Sequence, residues 1–237
     1  AVQAEGATRI ARLAAAEGID RMVHVSAIGA DAGSDSDYAR SKAKGESGVT
    51  QHMPDAVILR PSLIFGPEDN FFNRFAGMAR LAPILPVVGP NTKFQPVFVD
   101  DVAAAAALAV DGKAQAGVYE LGGPDVDTFR ELMQTMLHVI RRRALLLTVP
   151  FFVARIMAWV LDMGQAITGG LLHNGILTRD QVRNLANDNI VSGDYPGFDA
   201  FGITPTSMEA ILPGYLWRFR PSGQYSDIKD SARNMKT

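Results

Sequence analysis

Short β-rich runs alternate with helical spans through the first part of the chain, and this alternation restricts the fold more than any other feature of the sequence. Residues 7–16 place Ile10, Leu13 and Ala14 at helical spacing and stop at Glu17-Gly18-Ile19-Asp20. Residues 21–26 (RMVHVS) read as a strand, 38–52 (YARSKAKGESGVTQH) as a helix despite Gly45 and Gly48, and 56–61 (AVILRP) as a second, buried strand. Strands separated by helices pair in parallel, because each crossover returns the chain to the same end of the sheet.

The alternation continues. A helix is expected over 71–81, followed by a proline-studded stretch to Pro96, and Val97-Phe-Val-Asp-Asp-Val102 leads into an Ala-rich helix over 102–110. Asp100-Asp101 reads as the N-cap of that helix. A short strand over 118–121 ends at Gly122-Gly123-Pro124, and Asp127 or Thr128 caps a helix running to about Arg143. Residues 144–178 are the most apolar part, with charge-free runs over 144–154 and 163–178 of 11 and 16 residues. Each is shorter than the roughly 20 apolar residues a spanning helix needs. With Arg141-Arg142-Arg143 just before it, this region is either a surface-lying basic and apolar element or a core helix of a C-terminal lobe. Met157 and Trp159 read as core or interface packing, and Glu68-Asp69 as a solvated loop. The expected organisation is a dinucleotide-type unit over 1–125, a mainly helical lobe over 126–222 and a polar tail over 223–237.

Composition narrows the chemistry. There are no cysteines, and His24, His52, His138 and His173 show no i, i+4 pair, so neither a thiolate nor a histidine metal site is indicated. A net charge of −2 gives no overall field to gather nucleic-acid phosphates. What remains is Tyr38-Ala-Arg-Ser-Lys42, whose spacing sets a phenol and an ammonium on one helix face. Such an ammonium is expected to lower the phenol's pKa toward the working range of a general acid and to donate to ribose hydroxyls. The strand ends at Ser26 and at Arg60-Pro61 flank this helix, where open α/β sheets hold their ligands.

The stretches VHVSAIGAD (23–31), YARSKAKGE (38–46), VILRPSLIFGPED (57–69) and QPVFVDDVAAA (95–105) resemble the extended and atypical short-chain dehydrogenase/reductase families. RPSLIFGPEDNFFNRFA (60–76) and the apolar PFFVARIMAWVL (150–161) extend the likeness, which is similar to the nucleotide-binding accessory-subunit family of respiratory complex I. The resemblance implies a Rossmann-type α/β domain with a doubly wound parallel sheet, binding NADP(H) without turnover. It implies cofactor contacts from Ser26, Tyr38, Lys42, Pro61, Ser62 and Leu63, the last three through backbone groups toward a carboxamide. It further implies partners among the complex I subunits of the peripheral arm and quinone module, a role in assembly and stability there, membrane contact through 141–172, and a peripheral place on the inner membrane's cytoplasmic or matrix face. The alternative is a working NAD(P)-dependent reductase, epimerase or dehydratase with Tyr38 and Lys42 catalytic.

Two departures bear on this. No G-x-G-x-x-G turn precedes Ser26, and about 20 residues stand before that strand, so the expectation is that the glycine-rich front half of the domain is missing from this sequence. The position expected to carry an active-site hydroxyl in extended reductases is Ile28, which weakens the catalytic alternative.

Overall fold

The structure is a computed structural model, and it describes residues 2–167 and 178–225. The elements are α1 (Ala7–Ala16), β1 (Val23–Val25), α2 (Asp37–His52), β2 (Val57–Pro61), β3 (Ile64–Phe65), α3 (Phe72–Leu81), β4 (Ile84–Val88), β5 (Lys93–Phe94) and β6 (Val97–Phe98). They continue with α4 (Val99–Val110), β7 (Gly117–Leu121), β8 (Asp127–Thr128), α5 (Phe129–Val139), β9 (Leu145–Val149), α6 (Phe151–Ile167), α7 (Arg179–Asn184) and α8 (Met208–Leu216). His173, most of the charge-free run 163–178 and most of the polar tail lie outside the described residues.

The central sheet has the order β1-β2-β7, all parallel, with Val57 in register with Val23 and Gly117. This is the α/β arrangement with parallel strands and covering helices that the alternation requires. Leu59 and Leu121 are fully buried, packed with Val97 and with Val102, Ala105 and Ala109 of α4. Burying a leucine of this kind contributes on the order of 1.5–3 kcal/mol. Helix α1 packs on α2 where glycine permits it: a Cβ on Gly48 would stand 1.8 Å from Thr8 Oγ1. The second glycine of the helix is thus a close-approach position that outweighs its poor helix propensity.

A second core gathers Phe65, Phe72, Leu85, Leu132, Met133, Met136, Leu212 and Leu216, so residues on both sides of 125 share it. Its strands include a pair not anticipated: β4, within the proline-studded stretch, pairs in parallel with β9, within the apolar region, Ile84 facing Leu145. Part of the segment read as helix or surface element is therefore strand. Thr128, not Asp127, caps α5, its side chain accepting from the Glu131 amide while the Glu131 carboxylate accepts from the Thr128 amide, and the helix ends at Val139, short of Arg143. Asp101 is not an N-cap. It lies in the first turn of α4 and accepts from the Thr206 amide and hydroxyl at 2.7 and 3.1 Å. Nor is Asp69 a solvated loop residue: its carboxylate accepts from the amides of Phe72 and Asn73 and from the Tyr215 hydroxyl. Among the described residues no helix is long and apolar enough to cross a membrane.

Candidate functional site

The site begins at the carboxyl end of β1. The chain continues past Val25 in register with β2, the Ser26 amide donating to Leu59 at 2.7 Å and the Ile28 amide to Pro61 at 3.1 Å. This holds Ser26 beside the sheet end, where its side chain is buried and its hydroxyl has no hydrogen-bond partner among the described residues. A buried hydroxyl left this way is costly unless something completes it. His24 Nε2, on the same strand, is buried and without a partner as well.

Helix α2 brings Tyr38 and Lys42 to this point. Lys42 Nζ donates to the carbonyls of Val25 at 3.4 Å and Ser26 at 3.3 Å, and it stands 5.7 Å from the centre of the Tyr38 ring. The ammonium therefore lies over the face of the phenol. The expected lowering of the Tyr38 pKa is not what the surroundings produce: burial pushes it up, leaving a protonated hydroxyl at neutral pH. Lys42 is pushed down by burial, against which the carboxylate of Glu46 raises it.

Three features absent from the sequence reading fix α2 in place. Glu46, one turn beyond Lys42, takes a two-pronged bond from Arg60 of β2, at 2.8 Å from Nε and 2.6 Å from Nη2. Its i+4 spacing from Lys42 is the one local signal that could have revealed it. Asp180 of α7 caps the helix from a distant part of the chain, accepting from the amides of Asp37 and Tyr38 at 2.8 and 3.1 Å and from the Ser36 hydroxyl at 3.1 Å. Ser36 in turn accepts from the Ala39 amide. Nothing local to α2 points to Asp180.

The β2 end is more committed than expected. The Pro61 carbonyl receives Ile28, while the Ser62 amide donates to Leu121 at 2.9 Å and the Ser62 hydroxyl is tied to Asn189, at 2.8 Å from its carbonyl and 2.7 Å from Oδ1. The Ser62 amide is thus spent inside the protein. Leu63 faces a cleft of about 810 Å³ with Pro67, Glu68, Asn70 and Phe71. It also lines a neighbouring apolar cavity of about 320 Å³ with Phe71, Phe75, Phe94, Phe129 and Met157. Ser26, Tyr38 and Lys42 are brought together. Ser62 is directed instead to the segment after α7. Among the described residues no group of three or more His, Asp or Glu side chains could hold a metal ion.

The residues present suit a nicotinamide dinucleotide's ribose, for which a buried hydroxyl, a protonated phenol and an ammonium are matching partners.

No family model matches the chain. It is 37% identical over 210 residues to the NADH dehydrogenase [ubiquinone] 1 alpha subcomplex subunit 9, mitochondrial, of Arabidopsis thaliana, covering 87% of this chain and 52% of that protein. It is 32% identical over 230 residues to the mouse protein of the same name, covering 96% and 59%. A Caulobacter vibrioides ceramide reductase is 34% identical over 151 residues, 63% of this chain and 47% of that enzyme. Among solved structures, the UDP-glucose 4-epimerase of Thermus thermophilus in complex with NAD superposes with a TM-score of 0.64 at 18% identity, over 93% of this chain and 70% of the other. The chain spans about half the length of the curated relatives it matches.

Proposed function

We propose that the chain, 37% and 32% identical to complex I accessory subunits of Arabidopsis and mouse, belongs to their family, binds NADP(H) and serves as a non-catalytic subunit of NADH:ubiquinone oxidoreductase. The observation that carries this reading is the Lys42 ammonium fixed between two strand-end carbonyls beside the buried, unpartnered Ser26 hydroxyl. Lys42 and Tyr38 hold the ribose nearest the nicotinamide, Ser26 gains a partner, and Pro61, Ser62 and Leu63 border the carboxamide through their backbone. When bound, such a dinucleotide supplies a hydride-accepting or hydride-donating ring. The residues around it favour holding: the phenol stays protonated, and Ile28 stands where a reductase would place a hydroxyl to polarise a substrate carbonyl.

On this reading the unit over 1–125 grips the nucleotide, and the lobe over 126–222 and the polar tail over 223–237 meet the other subunits of the peripheral arm and quinone module. The chain supports assembly and stability there, with residues 141–172 against the membrane surface, peripheral on the matrix or cytoplasmic face of the inner membrane.

The test is nucleotide retention by the intact gene product, isolated within its complex and extracted with acid or alkali for the oxidised and reduced forms. NADP(H) is expected at stoichiometric yield, falling about tenfold or more in Lys42→Met as charged hydrogen bonds are lost. Retention unchanged in Lys42→Met, or recovery of the protein free of complex I subunits, would overturn the proposal. A relative named a reductase favours the second reading, an active enzyme with Tyr38 as acid, which predicts carbonyl turnover lost in Tyr38→Phe.

A further inference from the structure

Helix α6 presents two unlike faces. Ala154 and Ala158 are fully buried against Val88 and against Val182 of α7. Phe152, Ile156, Trp159, Val160 and Met163 are all exposed, between 41% and 66%, at spacings that set them along the outer side of the helix. A stripe of large apolar groups this continuous is more than the scattered exposure normal for a protein surface.

Beside that stripe is a cavity of about 720 Å³ lined by Arg155, Ile156, Trp159, Arg179, Arg183 and Asp35. Three guanidinium groups from two helices thus share one concave site with an indole and an isoleucine. Arg155 has no hydrogen bond or ion pair among the described residues. Arg183 donates to the Asp35 backbone carbonyl at 3.2 Å, and Arg179 makes a long contact of 3.9 Å with Asp162. The carboxylates of Asp35 and Asp162 offset part of the charge, and the three cations still outnumber them. The basic run that adjoins the apolar region in sequence is differently used, since Arg142 donates to the Phe219 carbonyl at 2.7 Å.

We propose that Arg155, Arg179 and Arg183 form a binding site for the phosphate of an anionic glycerophospholipid headgroup, with the acyl chains lying along the exposed side of α6. Planar guanidinium groups with several N–H donors match phosphate oxygens in pairs, and the adjoining apolar stripe distinguishes a lipid phosphate from a soluble one. Trp159 stands where an indole belongs at a lipid interface, between the charged pocket and the apolar face. The inference deepens the membrane-contact part of the proposed function and is independent of its nucleotide part.

The experiment is co-flotation of the intact gene product with vesicles of phosphatidylcholine alone and of phosphatidylcholine containing phosphatidylglycerol, with bound nucleotide measured in the same samples. Binding is expected to favour the anionic vesicles and to fall about fivefold in Arg155→Gln and roughly a hundredfold when all three arginines are changed to glutamine. Arg9→Gln/Arg12→Gln, which removes two exposed positive charges from α1, is expected to bind almost as well as the parent. Arg155→Gln keeps the test sound if the triple variant fails to fold. Equal binding to both vesicle types, no vesicle binding at all, as for a face covered by a protein partner, or indifference to Arg155→Gln would overturn the proposal. Full displacement by inorganic phosphate, with ionic strength matched in chloride, would also overturn it by showing a site for a free anion. Loss of nucleotide in Lys42→Met with vesicle binding intact separates the two readings.

Discussion

Replacing Arg60 by methionine isolates what holds the Tyr38 and Lys42 helix against the sheet. The side chains of Arg60 and Glu46 are only 13% and 9% exposed, and their two-pronged bond is the sole ion pair between α2 and β2 among the described residues. That bond outweighs burial, which acts to lower the Arg60 pKa, and raises it above its ordinary value, so the guanidinium stays charged throughout the accessible range. Removing one member of a pair this buried strands the other charge and costs about 3–5 kcal/mol. For a chain of this size each kcal/mol lowers Tm by roughly 2–4 °C, giving a fall of about 6–20 °C. Part of it, about 0.5–1 kcal/mol, comes from the guanidinium stacked 5.0 Å from the Tyr195 ring, which Tyr195→Leu measures separately. The double variant Arg60→Met/Glu46→Leu leaves no stranded charge and should recover most of the loss. Thermal and urea unfolding of the two single variants and the double variant complete the cycle. A cost below about 1 kcal/mol for Arg60→Met, as for a solvated pair, would refute the reasoning. So would single-variant losses that simply add.

Two further outcomes are expected. Asp180→Ala removes an acceptor shared by two amides and a hydroxyl at the start of α2, and it should lower stability by about 1–2 kcal/mol, Ser36 still capping Ala39; a change indistinguishable from zero in urea titration would count against the cap. His24 is held below its ordinary pKa of 6.5 by burial first and then by Lys42, with Glu46 opposing. The unfolded chain therefore takes up this proton before the folded one, stability is lost as pH falls below about 6.5, and His24→Leu should flatten that dependence. Urea midpoints compared between about pH 8 and pH 5.5 decide it, a slope that persists in the variant being the contrary result.

The parts of the fold legible in the sequence are those whose signals are local. The period-2 and period-3.6 patterns of residues 7–61 report their own burial, and Thr128 with Glu131 writes its cap within four residues. Strands β4 and β9 were not legible, because prolines interrupt the first and each acquires its meaning only from the other. The site divides the same way. Tyr38 and Lys42 announce themselves by spacing. The tie between Ser62 and Asn189 spans 127 residues and that between Tyr38 and Asp180 spans 142, with no pattern linking the partners. The assumption that an ammonium one turn away acidifies a phenol also failed, since spacing sets a face but not whether the charge meets the hydroxyl or the ring.

The carboxylate that finishes the start of α2 has a consequence for biosynthesis. The ribosome delivers residues 37 and 38 long before residue 180, at about 5–20 residues per second, so for several seconds the nascent helix carries frayed amides and an incompletely anchored tyrosine. Competence to hold a ligand at that end therefore matures only after α7 has emerged and docked.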